Sequence, residues 1–370
     1  MFFDNKNGNL MTYFSPEENF LIKLLFREEK LLLDTAIIDE KALLSIAVKN
    51  GLAQLLYIND GSKQLSKEAQ KQLKDNYLYN LGKNAGIQLI VAQIIEKLSQ
   101  KEIPVILLKG ISLITNVYDD IALRPMSDLD ILLPIKSVFE AWKLLNPKEI
   151  ELKLNDIKTI HHLPLFNYKG ISVELHRFLF PSDVKYQIPI DEIWQSAIEL
   201  PDFNASSINP TYQIIYQLLH IYYSCRQGGL RLSWFYDIKE LLSKFDNEIT
   251  LETVENQAKI WKIEKPIRKM LTFFTVLSPK TTLSVSISKK ETKEIKKMIN
   301  LLHISDRNKK TEYGYGIALE RLANTKGIKN KIIFIINTIT DNGKGKRKFS
   351  IKRIYDLSKN FIGHIFCKFV

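Results

Sequence analysis

Along the first hundred residues, hydrophobic positions recur at helical spacing. Ser15-Pro16-Glu17-Glu18 has the parts of a helix start: a hydroxyl to cap, a proline suited to the first turn, and a glutamate three places on to close a capping box. Phe20, Leu21, Leu24 and Leu25 then fall on one face. A second helix is predicted from Glu40 to Leu56, with Leu43, Leu44, Ile46, Ala47 and Leu52 inward, and Asn59-Asp60-Gly61-Ser62 reads as a turn. A long helix is predicted from Lys67 to about Gln100, with Leu78, Leu81, Ile87, Leu89, Ile90, Ala92 and Ile95 supplying its apolar surface.

The pattern changes at Pro104. Val105-Ile106-Leu107-Leu108 is an unbroken apolar run, strand-like, that stops at Lys109-Gly110. A helix from Ile111 to Tyr118, a loop holding Arg124-Pro125, and a second strand-like run, Ser127 to Leu133, follow. Ser137 to Leu145 is amphipathic, with Val138, Ala141, Trp142 and Leu145 inward. His161 to Phe166 and Ile171 to His176 alternate as strands do, and Asn167-Tyr168-Lys169-Gly170 between them is a hairpin signal. After Asp191 the spacing is helical again. Asn209-Pro210 opens a helix from Thr211 to Tyr223, Gly228-Gly229 breaks it, Ser233 to Phe245 forms another, and three or so more lie between Leu251 and Leu302. The expected fold is α+β: a small mixed sheet of four or five strands set between helical segments. The expected divisions are 1–100 (helical), 101–200 (sheet core), 201–340 (helical) and 341–370 (basic tail).

Composition narrows the class. The chain has 370 residues, 45% hydrophobic and 25% charged, ordinary globular values that allow two or three domains. Its 2 cysteines, Cys225 and Cys367, exclude a disulfide framework and a cysteine-rich zinc site, and fit a reducing cytoplasm. The first residues lack the basic and apolar stretches of a signal peptide, and no apolar run reaches the roughly 18–20 residues of a membrane span. The net charge of +12 favours anionic partners such as nucleotides, nucleic acid or anionic membranes. Lys344, Lys346, Arg347, Lys348, Lys352, Arg353, Lys359 and Lys368 are set against Asp341 and Asp356, so half of that excess lies beyond residue 340. Ile351, Ile354, Leu357, Phe361, Ile362 and Ile365 recur there at helical spacing, as in a basic amphipathic helix on an anionic membrane surface or an acidic partner; a solvated tail is the simpler alternative.

The chemistry concentrates in the sheet. Asp128 and Asp130 lie two apart in a strand and so share a face. Paired carboxylates repel and are costly to desolvate unless a cation neutralises them, and an all-oxygen set favours Mg²⁺ or Mn²⁺. Glu174, with Ser172 and His176 on its face, offers a third carboxylate from another strand, or else a strand-edge group meeting water. Lys109-Gly110-Ile111-Ser112, between a strand and a helix, could present a helix N-terminus to phosphate. It matches neither G-x-x-x-x-G-K-[ST] nor G-x-G-x-x-G. Arg124 is a phosphate ligand or a structural partner of Asp119 or Asp120. His220 is a core histidine or a substrate contact, and Arg231 with Asp237 a helix brace or a substrate pair. His161-His162 reads as strand surface, and Tyr216 belongs to a cluster of core aromatics.

The ordered set Leu108-Lys109-Gly110, Tyr118, Arg124, Asp128-Leu129-Asp130-Ile131-Leu132, Val173-Glu174-Leu175-His176, Leu218-Leu219-His220 and Leu230-Arg231 with Asp237 resembles the uncharacterised bacterial nucleotidyltransferase family. That family sits within the DNA polymerase β-like superfamily, and the likeness spans roughly residues 20 to 245. Ile111 stands where the superfamily usually places a second small residue. The resemblance implies Mg²⁺- or Mn²⁺-dependent transfer of a nucleoside monophosphate from an NTP, ATP first among donors, to a hydroxyl of a small molecule, sugar, peptide or protein. It implies Asp128, Asp130 and Glu174 as catalytic metal ligands, Lys109, Gly110, Ser112 and Arg124 as the nucleotide-binding set, and His176, His220, Arg231 and Asp237 as candidate substrate contacts. The competing expectation is a non-catalytic protein of this fold that holds nucleic acid or an anionic membrane through its basic surface. The expected location is cytoplasmic or at the membrane periphery.

Overall fold

The computed structural model describes residues 10–34, 36–146, 161–200 and 202–302, with positions 322 and 331; the basic tail and the apolar run at 332–336 lie outside these. Helix α1 (Pro16–Leu21) starts as its sequence dictates. Ser15 Oγ accepts from the Glu18 amide at 3.2 Å and Glu18 Oε2 accepts from the Ser15 amide at 2.9 Å. The chain then widens into a π-helical turn, Ile22–Phe26.

The stretch expected as one helix from Glu40 to Leu56 is two, α2 (Glu40–Lys49) and α3 (Ala53–Ile58). Gly51 breaks it with a φ of +70°, a conformation that favours glycine. A Cβ there would also lie 2.9 Å from Ser233 Oγ. The break is a docking point: Asn50 accepts from the Leu232 amide through its side chain at 3.2 Å and from the Ser233 amide through its carbonyl at 3.1 Å.

Helix α4 (Lys67–Ser99) is as long as expected but turned on its axis. Its buried face runs through Leu73, Asn80, Asn84, Ile87, Val91, Ile94 and Leu98, while Leu78 and Leu89 are exposed. Two asparagines set this facing. Asn80 donates to the Ala122 carbonyl, and Asn84 donates to the carbonyls of Ile121 at 2.6 Å and Arg124 at 2.9 Å. Lys83 reaches the Met126 carbonyl at 2.6 Å and Tyr77 the Asp120 carboxylate at 2.7 Å. A periodicity count treats asparagine as solvent-facing, but here it satisfies loop carbonyls that would otherwise be buried without partners. The helix thereby clamps the loop that leads into the acidic strand.

Among the described residues the sheet has six strands in the order β3-β4-β2-β1-β6-β5. They are β1 (Ile106–Leu107), β2 (Asp128–Leu132), β3 (Phe166–Tyr168), β4 (Ile171–His176), β5 (Ile198–Leu200) and β6 (Ala205–Ser207). Strand β2 pairs antiparallel with β1 and parallel with β4. The β5–β6 hairpin exceeds the four or five strands expected, because three-residue strands such as Ala205-Ser206-Ser207 carry no alternation to detect. Strand β3 begins only at Phe166, and His162 meets β4 through a single bridge to His176. Lys169 and Gly170, at φ +50° and +91°, form the two-residue turn between β3 and β4.

Alternation sorts the sheet's two faces. Leu129, Ile131, Val173 and Leu175 join a core with Ile87, Val91 and Ile94 of α4 and with α6 (Val138–Leu145). Leu132, on the face of Asp128 and Asp130, joins a second core with Tyr216 of α8 (Pro210–Arg226). That core also holds α7 (Ile190–Gln195), α9 (Leu232–Lys244), α10 (Leu251–Ile260), α11 (Glu264–Leu277), α12 (Lys289–Leu302) and the N-terminal helices. Thus Phe14 packs on Phe273, Phe26 on Tyr236, and Arg27 donates to the Val276 carbonyl at 2.7 Å. Among the described residues, no helix is long and apolar enough to cross a membrane.

Candidate active site

The pairing of β2 with β4 sets Asp128 beside Ser172, Asp130 beside Glu174, and Leu132 beside His176. Parallel neighbours point the same way, so Asp130, Glu174 and His176 converge on the face that looks toward α8. Asp130 is 2% exposed. Its Oδ1 receives Lys109 Nζ at 2.6 Å and His176 Nε2 at 2.8 Å. Glu174 Oε2 lies 3.4 Å from His176 Nε2 and 4.0 Å from Lys109 Nζ.

These contacts bias the protonation. Burial is the largest influence on the Lys109 ammonium and opposes it, but the charge and hydrogen bond of Asp130, with Tyr216 and Glu174, together outweigh it and hold Lys109 above its ordinary pKa. Burial also pushes Asp130 upward, yet Lys109 and then His176 hold it well below the usual carboxylate range. The hydrogen bond from His176 lowers Glu174. For His176, burial favours the neutral ring, and the bonds to Asp130 and Glu174 outweigh it and raise the pKa. The site is therefore a quartet in which the Asp130 and Glu174 carboxylates, both held low, face the Lys109 ammonium and an imidazole whose proton they favour.

Ligand atoms of Asp130, Glu174 and His176 lie within 4.8 Å of one another, close enough to share one divalent ion. Asp128 is not in that group. It sits one pleat along β2, roughly 6–7 Å away along the strand, half-buried, with its Oδ1 accepting from Ser127 Oγ at 2.9 Å. The donor set suits a hard or borderline cation such as Mg²⁺ or Mn²⁺. Two further buried polar atoms have no hydrogen-bond partner among the described residues: Nδ1 of His176, within the quartet, and the hydroxyl of the fully buried Tyr216. Burial chiefly, with the charges of Asp130 and Glu174 added against that of Lys109, raises Tyr216, which places its hydroxyl in the field of the quartet.

Lys109 opens α5 (Lys109–Asn116) with a φ of +48°, a left-handed backbone on a residue that carries a side chain. Gly110 follows because a Cβ there would sit 2.8 Å from Met126 Cγ and Sδ and 3.2 Å from Arg124 Nη1. The close approach at this glycine is thus to the loop before β2. Ser112 is 3% exposed, inside the first turn of α5.

A comparison with known families decides what these elements are. The model of the family described as "Uncharacterised nucleotidyltransferase" matches residues 37–278. The chain belongs to the uncharacterised nucleotidyltransferase family. Searches of curated proteins and of solved structures returned no match. The match takes in the acidic strands, the Lys109 turn and the helices α8 to α11 that cover them, so the quartet is the candidate active site of a nucleotidyltransferase.

The other residues expected at the site group elsewhere. Arg124 pairs with Asp237 of α9 rather than with Asp119 or Asp120. Its Nε lies 3.1 Å from Asp237 Oδ1 and its Nη2 2.9 Å from Oδ2, while Nη1 donates to the Pro125 carbonyl at 2.7 Å. Asp237, 0% exposed, also accepts from the Tyr118 hydroxyl at 2.8 Å and from Gln217 at 3.3 Å. Arg231 is exposed, with its guanidinium 5.9 Å from the Trp234 ring centre, so the brace expected between Arg231 and Asp237 is replaced by Arg124–Asp237. His220 is half-buried against Trp234, their ring centres 5.6 Å apart, and desolvation pushes its pKa down to about 3.

Two features escaped sequence reasoning. His161 and His162, expected on the surface, each lie with the ring tilted against that of His176, centres 5.4 Å apart, and burial drives His161 down to about 2. Tyr216 was indistinguishable from the aromatics around it. Its one signal is the four-residue spacing to His220, which puts both on one face of α8.

Proposed function

We propose that this site transfers a nucleoside monophosphate from an NTP to an acceptor hydroxyl. What supports it is the placement of Asp130 directly beside Glu174 on parallel strands, with Lys109 entering from the strand–helix turn. A divalent cation held by Asp130 and Glu174, with His176 within reach, would neutralise the charge that develops on the phosphates and the attacking oxygen.

The chain's own groups do the positioning. Lys109 and the first turn of α5, whose leading amides lack helical partners, face the β- and γ-phosphates. The acceptor oxygen bonds to the α-phosphorus, the bridge between the α- and β-phosphates breaks, and pyrophosphate leaves with that electron pair. The acceptor's proton goes to Glu174, the half-buried and more accessible carboxylate, and on to water. A carboxylate held below its ordinary pKa is a weak base, so positioning and charge neutralisation carry most of the rate. Asp128, at the open end of the same face, would bind a second cation or the triphosphate's own.

The test is calorimetric titration of the full chain with ATP, GTP, CTP and UTP in Mg²⁺, on wild type and on an Asp130→Asn/Glu174→Gln double variant. We expect one NTP to bind the wild type in a Mg²⁺-dependent way and to lose that dependence in the variant. Absence of binding by every NTP, or equal Mg²⁺-dependent binding by the variant, overturns the reading.

A further inference from the structure

Lys109 holds an unusual place for a phosphate ligand, because its ammonium points into the carboxylates. It lies 2.6 Å from Asp130 Oδ1, an oxygen of the carboxylate that a shared cation would use, and 4.0 Å from Glu174 Oε2. A divalent ion would approach that oxygen to roughly 2.0–2.2 Å. The two occupants would then compete for one space beside the Asp130 and Glu174 carboxylates. One cation must leave. The candidate is Lys109, whose side chain is 23% exposed on a flexible four-carbon stem, whereas His176 is fully buried.

The backbone points to the same residue. Lys109 holds φ +48°, which costs a residue with a side chain about 1 kcal/mol or more, and such strain persists where the surroundings impose it. It occurs at the first residue of α5, where a triphosphate would meet the helix.

We propose that Lys109 is a stand-in cation, an alternative occupant of the Asp130–Glu174 pair that a nucleotide must draw off before a divalent ion can bind there. This rests on the reading of the site as a metal-dependent nucleotidyltransferase and adds an order to it. Without nucleotide, Lys109 neutralises the two acids and holds free cations off. When the triphosphate arrives, its β- and γ-oxygens offer the ammonium a better counter-charge, and the pair is released to the metal. Nucleotide and metal therefore bind with positive coupling, and Lys109 is the element that both of them bias.

The test uses Mn²⁺ alone, with the unbound ion followed by electron paramagnetic resonance, on the metal-free full chain. Wild type, Lys109→Met and Lys109→Gly are compared without nucleotide. The glycine variant removes the ammonium and suits the left-handed backbone, so it serves if the methionine variant folds poorly. We expect Mn²⁺ to bind both variants about tenfold or more tighter than wild type. The added gain from a non-hydrolysable NTP should be large in wild type and reduced in the variants. Equal or weaker Mn²⁺ binding by the variants overturns the stand-in role and leaves metal-dependent transfer intact. If neither wild type nor variant binds Mn²⁺, with or without nucleotide, both readings fall.

Discussion

Two buried carboxylates, Asp130 and Asp237, each face an ion-paired base, and the contrast between them separates chemistry from architecture. Asp237 is saturated: Arg124 bonds both its oxygens, Tyr118 and Gln217 complete the set, and its side chain is sealed from solvent. Asp130 shares its cluster with groups that still have capacity. Glu174 is half-buried, Lys109 has exposed surface, and the Tyr216 hydroxyl and His176 Nδ1 lack partners among the described residues. Helix α8 is common to both, with Gln217 on Asp237 and Tyr216 beside the quartet. A cluster with nothing left to bond joins elements; a cluster with bonds to spare can take a ligand. Family resemblance put Lys109 and Arg124 in the nucleotide-binding set and Asp237 among the substrate contacts, whereas the geometry pairs Arg124 with Asp237.

Removing one charge from each cluster should expose that difference, with the largest effect at the quartet. Asp130→Asn is expected to cut nucleotide transfer by about a thousandfold, since it removes the charge that orients both Lys109 and any cation. The melting temperature should move little, because Lys109 can turn its head to water. A quantitative label-transfer assay beside a thermal melt measures both; a large melting loss with activity retained would reverse the assignment of the two clusters.

At the other cluster the loss should fall on the fold. Arg124→Met leaves Asp237 buried without a counter-charge, which costs about 3–5 kcal/mol. It is expected to lower the melting temperature by on the order of 10 °C. Arg124→Met/Asp237→Leu should recover much of that, because a well-packed apolar pair replaces a buried ion pair at small cost. Chemical denaturation of the three chains tests it, and a double variant no more stable than the single one would deny Asp237 its architectural role.

This division also marks what the sequence could and could not reveal. The capping box at Ser15, the long α4, the acidic strand and its partner with Glu174 were all legible, because each depends on local periodicity or capping chemistry. The partner of Asp237 was not. Arg124 lies 113 positions away, and nothing local to either residue encodes the pair. The facing of α4 was missed because two asparagines, polar by type, are the buried pins of that helix. His161 and His162 were read as surface because a residue pair beyond the regular part of β3 does not follow strand alternation.

The pH dependence probes the wall that the two clusters share. Burial disfavours the charged form of His220 and pushes its pKa from the ordinary 6.5 of the unfolded chain down to about 3. Its folded pKa is depressed, so its contribution is complete above the unfolded value and is lost as the pH falls from about 6.5 toward 3. His220→Phe should flatten that part of the stability curve by on the order of 2 kcal/mol at pH 4 relative to pH 7. Urea midpoints across this range decide it; an unchanged slope would mean that His220 is protonated in the fold and belongs with the charged groups of the quartet.

The smallest effects should differ in sign, which makes them the sharpest comparison. Tyr118 and Tyr216 are both buried tyrosines within reach of a charged cluster, but the Tyr118 hydroxyl bonds Asp237 at 2.8 Å while that of Tyr216 has no partner among the described residues. Replacing a hydroxyl bonded to a charged acceptor by hydrogen should cost about 1–2 kcal/mol, so Tyr118→Phe is expected to destabilise the fold. Deleting an unbonded buried hydroxyl removes a desolvation cost, so Tyr216→Phe should be neutral or stabilising by up to about 1 kcal/mol. If the Tyr216 hydroxyl is kept for a ligand, the same variant that gains stability should lose transfer rate or nucleotide affinity by a few-fold, a trade that packing alone does not produce. Denaturant midpoints and transfer rates on both variants, taken in one buffer, measure it. A Tyr216→Phe chain that loses stability and keeps full activity would place Tyr216 with Tyr118, among the residues that hold the helices to the sheet.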